Sequence, residues 1–201
     1  KNDYSKPRKS PEIPWVHMMS EQKFKSPLLI REYKKFVFNL DVKLDGFKNH
    51  LLNDDYMPGI QAAQTNMYHI VRNYNQNSRD FGKFMWFGVN IYDNRMPYHP
   101  GTKVFDTGFA GATDTIIYVP NGKTAYNGET PHDGKWHTIR IETTKELNTC
   151  LIEAKNMNLM MDTKLEDLGI ENLYISSEIS GTFDLELRFK NLGFYAEKYV
   201  I

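Results

Sequence analysis

The stretch TFDLELRFKNL, residues 182–192, puts Phe183, Leu185, Leu187 and Phe189 on one side of an extended chain and Asp184, Glu186, Arg188 and Lys190 on the other. Successive side chains leave opposite faces of a β-strand, so a period of two predicts a strand with one buried and one wet face. WHTIRIE, residues 136–142, repeats the pattern. The turn Asp133-Gly134-Lys135 launches it, and Ile139 and Ile141 oppose Arg140 and Glu142. The first of these stretches predicts a central strand, with its four apolar side chains forming the inner face.

The same alternation runs outward along the chain. Residues 35–44 point Phe36, Phe38, Leu40, Val42 and Leu44 inward, and Asn39, Asp41 and Lys43 outward. Residues 59–63 and 68–74 read as two strands or one bent one, joined by the turn-rich 75–80 to the longest hydrophobic strand, 83–93. There Met85, Phe87, Val89 and Ile91 share one face, and Phe84, Trp86, Gly88, Asn90 and Tyr92 the other. Residues 94–101 read as a loop, 115–119 as a strand closed by Pro120-Asn121-Gly122, and 173–177 and 182–195 as the closing strands. Residues 144–158 break the pattern: Leu147, Leu151, Ala154 and Asn158 recur at helical spacing, with Thr143 or Thr144 placed to cap the start. Short strands, one amphipathic helix and Gly/Pro/Asn turns predict an all-β sandwich or barrel. Residues 1–34, with Pro7, Pro11 and Pro14 among charges, read as an extended lead-in packing on a single domain of residues 35–201.

Composition removes several function classes. The chain has 201 residues with 25 basic and 25 acidic side chains, so no net field recommends nucleic acid or an anionic membrane. A single Cys150 excludes an internal disulfide framework and a cysteine-based zinc cluster. No apolar run approaches the ~20 residues of a membrane-spanning helix. Aromatic residues make up 13% of the chain, which suits strand packing and also the stacking of sugar rings.

DGKWHTIRI at 133–141, WFGVNIYDNR at 86–95, the loop 106–114 and FDLELRFKNLGFYA at 183–196 together resemble the concanavalin A-like lectin/glucanase superfamily. Within it they resemble extracellular glycan-system proteins of gut Bacteroidetes, over residues 35–198. The resemblance implies a jelly roll of two antiparallel sheets, with a carbohydrate-facing concave surface or an edge-loop site. It further implies a secreted, periplasmic or cell-surface bacterial protein, with an oligo- or polysaccharide and other glycan-system proteins as partners.

Candidate site residues follow. Trp86, Asn90 and Tyr92 share a strand face and offer rings and an amide to a glycan, with Asp93, Asn94 and Arg95 at the strand end; Arg140, Glu142 and Arg188 are further ligand-binding candidates. Two readings of the Trp86 face stand open: a wet platform, or a core face covered by the helix or the N-terminal segment. For an enzyme, Asp184 and Glu186 are the candidate carboxylates, two residues apart on one strand face and so ~6.5–7 Å between Cα atoms. That spacing is compatible with glycoside hydrolysis. Arg188 and Lys190 beside them favour the ionised form, however, whereas a general acid needs its pKa raised. The Glu-x-Asp-x-Glu run of the superfamily's glucanases is absent, and the Arg-x-Glu-Leu-Arg motif of alginate-lyase-like jelly rolls is met only by Asp184-Leu185-Glu186-Leu187-Arg188. Asp106, Thr107, Gly108 and Asp114 offer oxygen ligands for Ca²⁺ without EF-hand spacing. The six histidines show no metal-binding spacing and read as turn or surface residues. The expected function is non-catalytic polysaccharide binding, with a glycoside hydrolase or lyase, and then an adhesive module without a glycan ligand, as rivals.

Overall fold

The computed structural model describes residues 7–10, 13, 16–51, 55–106 and 112–199. Among the described residues nine strands form two sheets: β1 Val16–Leu29, β2 Tyr33–Asn49, β3 Ala63–Asn73, β4 Phe84–Asp93, β5 Thr102–Phe105, β6 Ile116–Val119, β7 His137–Glu142, β8 Leu168–Ile179 and β9 Phe183–Lys198. The larger sheet has the order β1-β8-β3-β4-β6-β5 and the smaller β7-β2-β9. All neighbours are antiparallel except β4 and β6. The chain is thus the expected all-β sandwich of two sheets.

The core lies between the sheets and follows the alternation. On β2, Phe36, Phe38, Leu40 and Val42 are fully buried, with Ile139 and Ile141 of β7 beside them in the same sheet and Met85, Phe87, Val89 and Ile91 of β4 facing them from the other. Helix α1, Gly122–Ala125, is a single turn capped by Asn121, whose side chain accepts from the Lys123 amide. Helix α2, Thr143–Asn156, buries Leu147, Cys150, Leu151 and Ala154. Cys150 Sγ lies 3.6 Å from Met85 Sδ, and the Tyr118 hydroxyl donates to Glu146 over 3.0 Å. The helix therefore covers the inner side of β4 and β6, where the narrow sheet does not reach. Neither threonine caps it. Thr144 Oγ1 instead accepts from the Phe36 amide at 2.8 Å, tying the helix start to β2.

The structure differs from the sequence expectation at the N-terminal segment, at β9 and at two histidines. Residues 16–29, read as part of an extended lead-in, form β1, paired with β8 over 16–23 and again at Leu28 and Leu29. β9 is an edge strand rather than a central one. Its inward row is only partly covered, and Phe189 is 39% exposed, because the six-stranded sheet faces a partner of three strands and a helix. Residues 102–105 add a short edge strand, β5, to the larger sheet. His69 belongs to the core, fully buried between the rings of Phe87 and Phe194, and His137 is buried as well.

Candidate functional site

The outer face of the six-stranded sheet is built from rungs across β8, β3 and β4. Ser176, Asn66 and Asn90 form one rung, and Tyr174, Tyr68 and Gly88 the next. Trp86 follows on β4 beside Ile70, and Phe84 beside Arg72. Trp86 is half-buried, and its ring centroid stands 6.1 Å from Tyr68, 5.8 Å from Tyr174 and 6.1 Å from Phe84. Gly88 makes room for this group: a Cβ there would meet the Tyr68 ring at 2.5 Å, so only glycine lets the ring lie down on the sheet. The Trp86 indole N–H donates to Thr113 Oγ1 at 3.0 Å, and Thr113 donates to Asp106.

Polar groups border the rings on both sides. Arg95 clasps the buried Asp93 and donates to Gln64; Gln64 Nε2 donates to Glu178 Oε2 at 2.6 Å. Burial, aided by the negative Glu178, pushes the Tyr68 phenol far above the ordinary tyrosine range. Burial and a hydrogen bond to Glu21 push Tyr174 up to about 12. On the other side Arg72 forks onto Glu171, to which the Tyr74 hydroxyl also donates at 2.6 Å. Burial works to raise the Glu171 pKa, but these two donors outweigh it and hold it low. Beyond Phe84 the face dips into a cavity of about 430 Å³ lined by Arg72, Phe81, Lys83, Phe84, Thr113 and Leu159 among others.

The residues singled out in the sequence separate into three places. Trp86 and Asn90 lie on the outer face just described; Asn90 is 5% exposed, and its amide donates to Asn66 Oδ1 at 2.9 Å. Tyr92 does not join them. The β3–β4 register runs Thr65 to Tyr92 and then Asn66 to Asn90, so Ile91 is an extra residue, and Tyr92 turns inward. It is 2% exposed and stacks on His132 at 4.8 Å. Arg140 and Glu142 on β7 and Asp184, Glu186 and Arg188 on β9 belong to the outer face of the smaller sheet, on the opposite side of the molecule. Asp184 Oδ2 lies 2.7 Å from His50 Nε2, Glu186 stands 3.9 Å from Arg188, and Arg188 contacts Asp45. These carboxylates face open solvent beside cations, a poor setting for a general acid. Asn94 and Arg95 instead structure the end of β4, Asn94 Oδ1 accepting from the Ala63 amide.

Tyr68 and Tyr174 are the rings that the sequence reading missed. Both lay inside predicted strands, but only sheet order shows that β8 and β4 flank β3 and bring them to Trp86. Of the calcium candidates, Thr107 and Gly108 lie outside the described residues, while Asp106 Oδ2 accepts from the Thr113 amide and hydroxyl. Among the described residues no three His, Cys, Asp or Glu side chains gather as a metal site.

No family model matches the chain, and no curated protein matches its sequence. Among solved structures it is similar to the endoglucanase Cel12A of Rhodothermus marinus, at 9% identity and TM-score 0.47, over 87% of this chain and 67% of that one. It is also similar to a thermostable cellulase derived from the same enzyme, at 9% identity and TM-score 0.45, over 96% and 78% of the two chains. A structure from a comparison of family 12 glycoside hydrolases gives 8% identity and TM-score 0.41, over 99% and 79%. No helix of the described residues is long and apolar enough to cross a membrane.

Proposed function

We propose that the outer face of the six-stranded sheet binds a polysaccharide without cleaving it. One observation carries this reading: Trp86, Tyr68 and Tyr174, each partly exposed, cluster on the outer face of one sheet with hydrogen-bonding side chains on both sides. Aromatic rings stack on the apolar faces of pyranose rings, while the partly exposed Gln64 and Glu178 address hydroxyl groups. Each such hydrogen bond replaces one to water and nets about 1 kcal/mol, so useful affinity requires several sugar units. The cavity beyond Phe84 then accepts the unit at the end of the bound stretch. Binding of this kind calls on no cofactor, and it suits a secreted or cell-surface protein working beside other glycan-handling proteins.

A glycan array followed by calorimetric titration tests the reading. Affinity should rise with chain length, and Trp86→Ala should remove most of it while the protein still unfolds cooperatively. Loss of binding on charge reversal at Arg140 or Arg188, with Trp86→Ala inert, would move the site to the smaller sheet. Release of reducing sugar that disappears in Glu178→Gln would instead establish the hydrolase.

A further inference from the structure

β9 pairs with β2 along one side, and among the described residues no strand pairs with the other. An unpaired edge offers a row of N–H and C=O groups to another strand, and proteins usually guard it with proline, a bulge or repelling charges. The stretch 183–190 has no proline. It is also continuous: the extra residue at Asp45 belongs to β2, and the bulge of β9 itself comes only at Asn191, where φ is 52°. The remaining guard, charge, works in the opposite sense.

Consider this edge antiparallel to the same edge of a second copy, with Leu187 opposite Leu187. On the outward row Glu186 meets Arg188 of the second copy and Asp184 meets Lys190, each twice by symmetry. On the inward row Leu185 meets Phe189, whose 39% exposure marks the uncovered end of that row. Neighbouring registers fail. Centring the pair on Glu186 or Arg188 opposes like charges at the axis, and centring it on Leu185 or Phe189 sets Asp184 against Glu186 or Arg188 against Lys190. Opposite charges across antiparallel strands attract and like charges repel, so one register is selected.

We propose that the chain associates with a second copy of itself through the 184–190 edge of β9, joining two three-stranded sheets into one continuous sheet across a twofold axis. Such an interface is isologous, with the same patch on both copies. The local pairs of Asp184 with His50 and of Arg188 with Asp45 lie on the same outward row, beside the new ones. The aromatic face of the larger sheet lies on the far side and stays open in both copies.

Sedimentation over a concentration series tests this. The wild-type mass should climb toward twice that of the chain. Glu186→Arg opposes two guanidinium groups at each of two symmetric positions and should weaken association at least about tenfold. Adding Arg188→Glu to it restores opposite charges and should restore the dimer. Amide exchange at 184–190 should slow with concentration in the wild type and not in Glu186→Arg, and circular dichroism confirms that each variant is folded. A wild type that stays monomeric at every concentration overturns the proposal. So does a dimer indifferent to Glu186→Arg, or a double variant as weak as the single one.

Discussion

His69 shows what one buried side chain does to the pH response of the whole chain. Burial among aromatic rings depresses its pKa from 6.5 to about 4, although the Asn172 carbonyl that it contacts works the other way. The ring is neutral when folded and takes up a proton more readily when unfolded. Its contribution is therefore intact above about pH 6.5 and is lost as pH falls toward 4, on the order of 3 kcal/mol in all. His137 has the opposite sign. Burial works to lower its pKa, but Asp133 and Glu129, at 2.6 and 2.9 Å from its two ring nitrogens, outweigh that and raise it. Its contribution is present below about pH 6.5 and is lost as pH rises through the raised value. Denaturant titrations across pH should show His69→Phe with a flattened acid limb and His137→Gln with a flattened limb near neutrality. An acid limb unchanged in His69→Phe would mean that carboxylates alone set it. At this scale Gly88→Ala is a further test: it should lift the Tyr68 ring and weaken glycan binding several-fold, read by calorimetry.

Elements differ in how firmly they are held. Leu40 sits in the central strand β2, fully buried, while Leu187 sits on the edge strand β9 and is partly exposed. Leu40→Ala should cost about 2–5 kcal/mol, and Leu187→Ala clearly less, about 1–2 kcal/mol, because its site is already open on one side. Equal losses in urea unfolding would mean that β9 is covered in solution. Helix α2 fills the space beside the narrow sheet, so Leu151→Pro removes a helical hydrogen bond and displaces a buried side chain; it should cost about 3 kcal/mol or more. A mild effect would show that the sandwich stands without it. The helix was legible because Leu147, Leu151 and Ala154 keep helical spacing, and β2 and β7 because their apolar sets keep period two. The rank of β9 in its sheet was not, since alternation reports which face is apolar and says nothing about how many strands lie opposite.

For the whole molecule, the two wet faces divide the candidate residues. Trp86 and Asn90 stand on one side, and Arg140, Glu142, Asp184, Glu186 and Arg188 on the other, so no single ligand of ordinary size spans both sets. Chain order hid this, because the strands change sheets on either side of β2, between β6 and β7, and again on either side of β8. Helix α2 lies on the inner side of β4 and β1 extends the sheet instead of crossing it, so among the described residues neither element covers Trp86. Trp86→Ala should therefore cost only about 1–2 kcal/mol, the loss of ring contacts at a half-buried site. A loss near 4 kcal/mol in thermal unfolding would mark the ring as core.

The extra residue at Ile91 acts as a frameshift in three dimensions. Upstream of it β4 is read in one frame, with Trp86, Gly88 and Asn90 on the outer face; downstream the frame has changed, and Tyr92 enters the interior while Asp93 returns to the outer face opposite Gln64, buried under Arg95. A related chain lacking that single residue but otherwise identical in letters would turn the tyrosine to the outer face and the aspartate toward the core between the sheets, away from Arg95. Deleting Ile91 is thus a far harsher edit than substituting it, and any comparison of such sandwiches that aligns this strand without a gap will misassign its last two side chains.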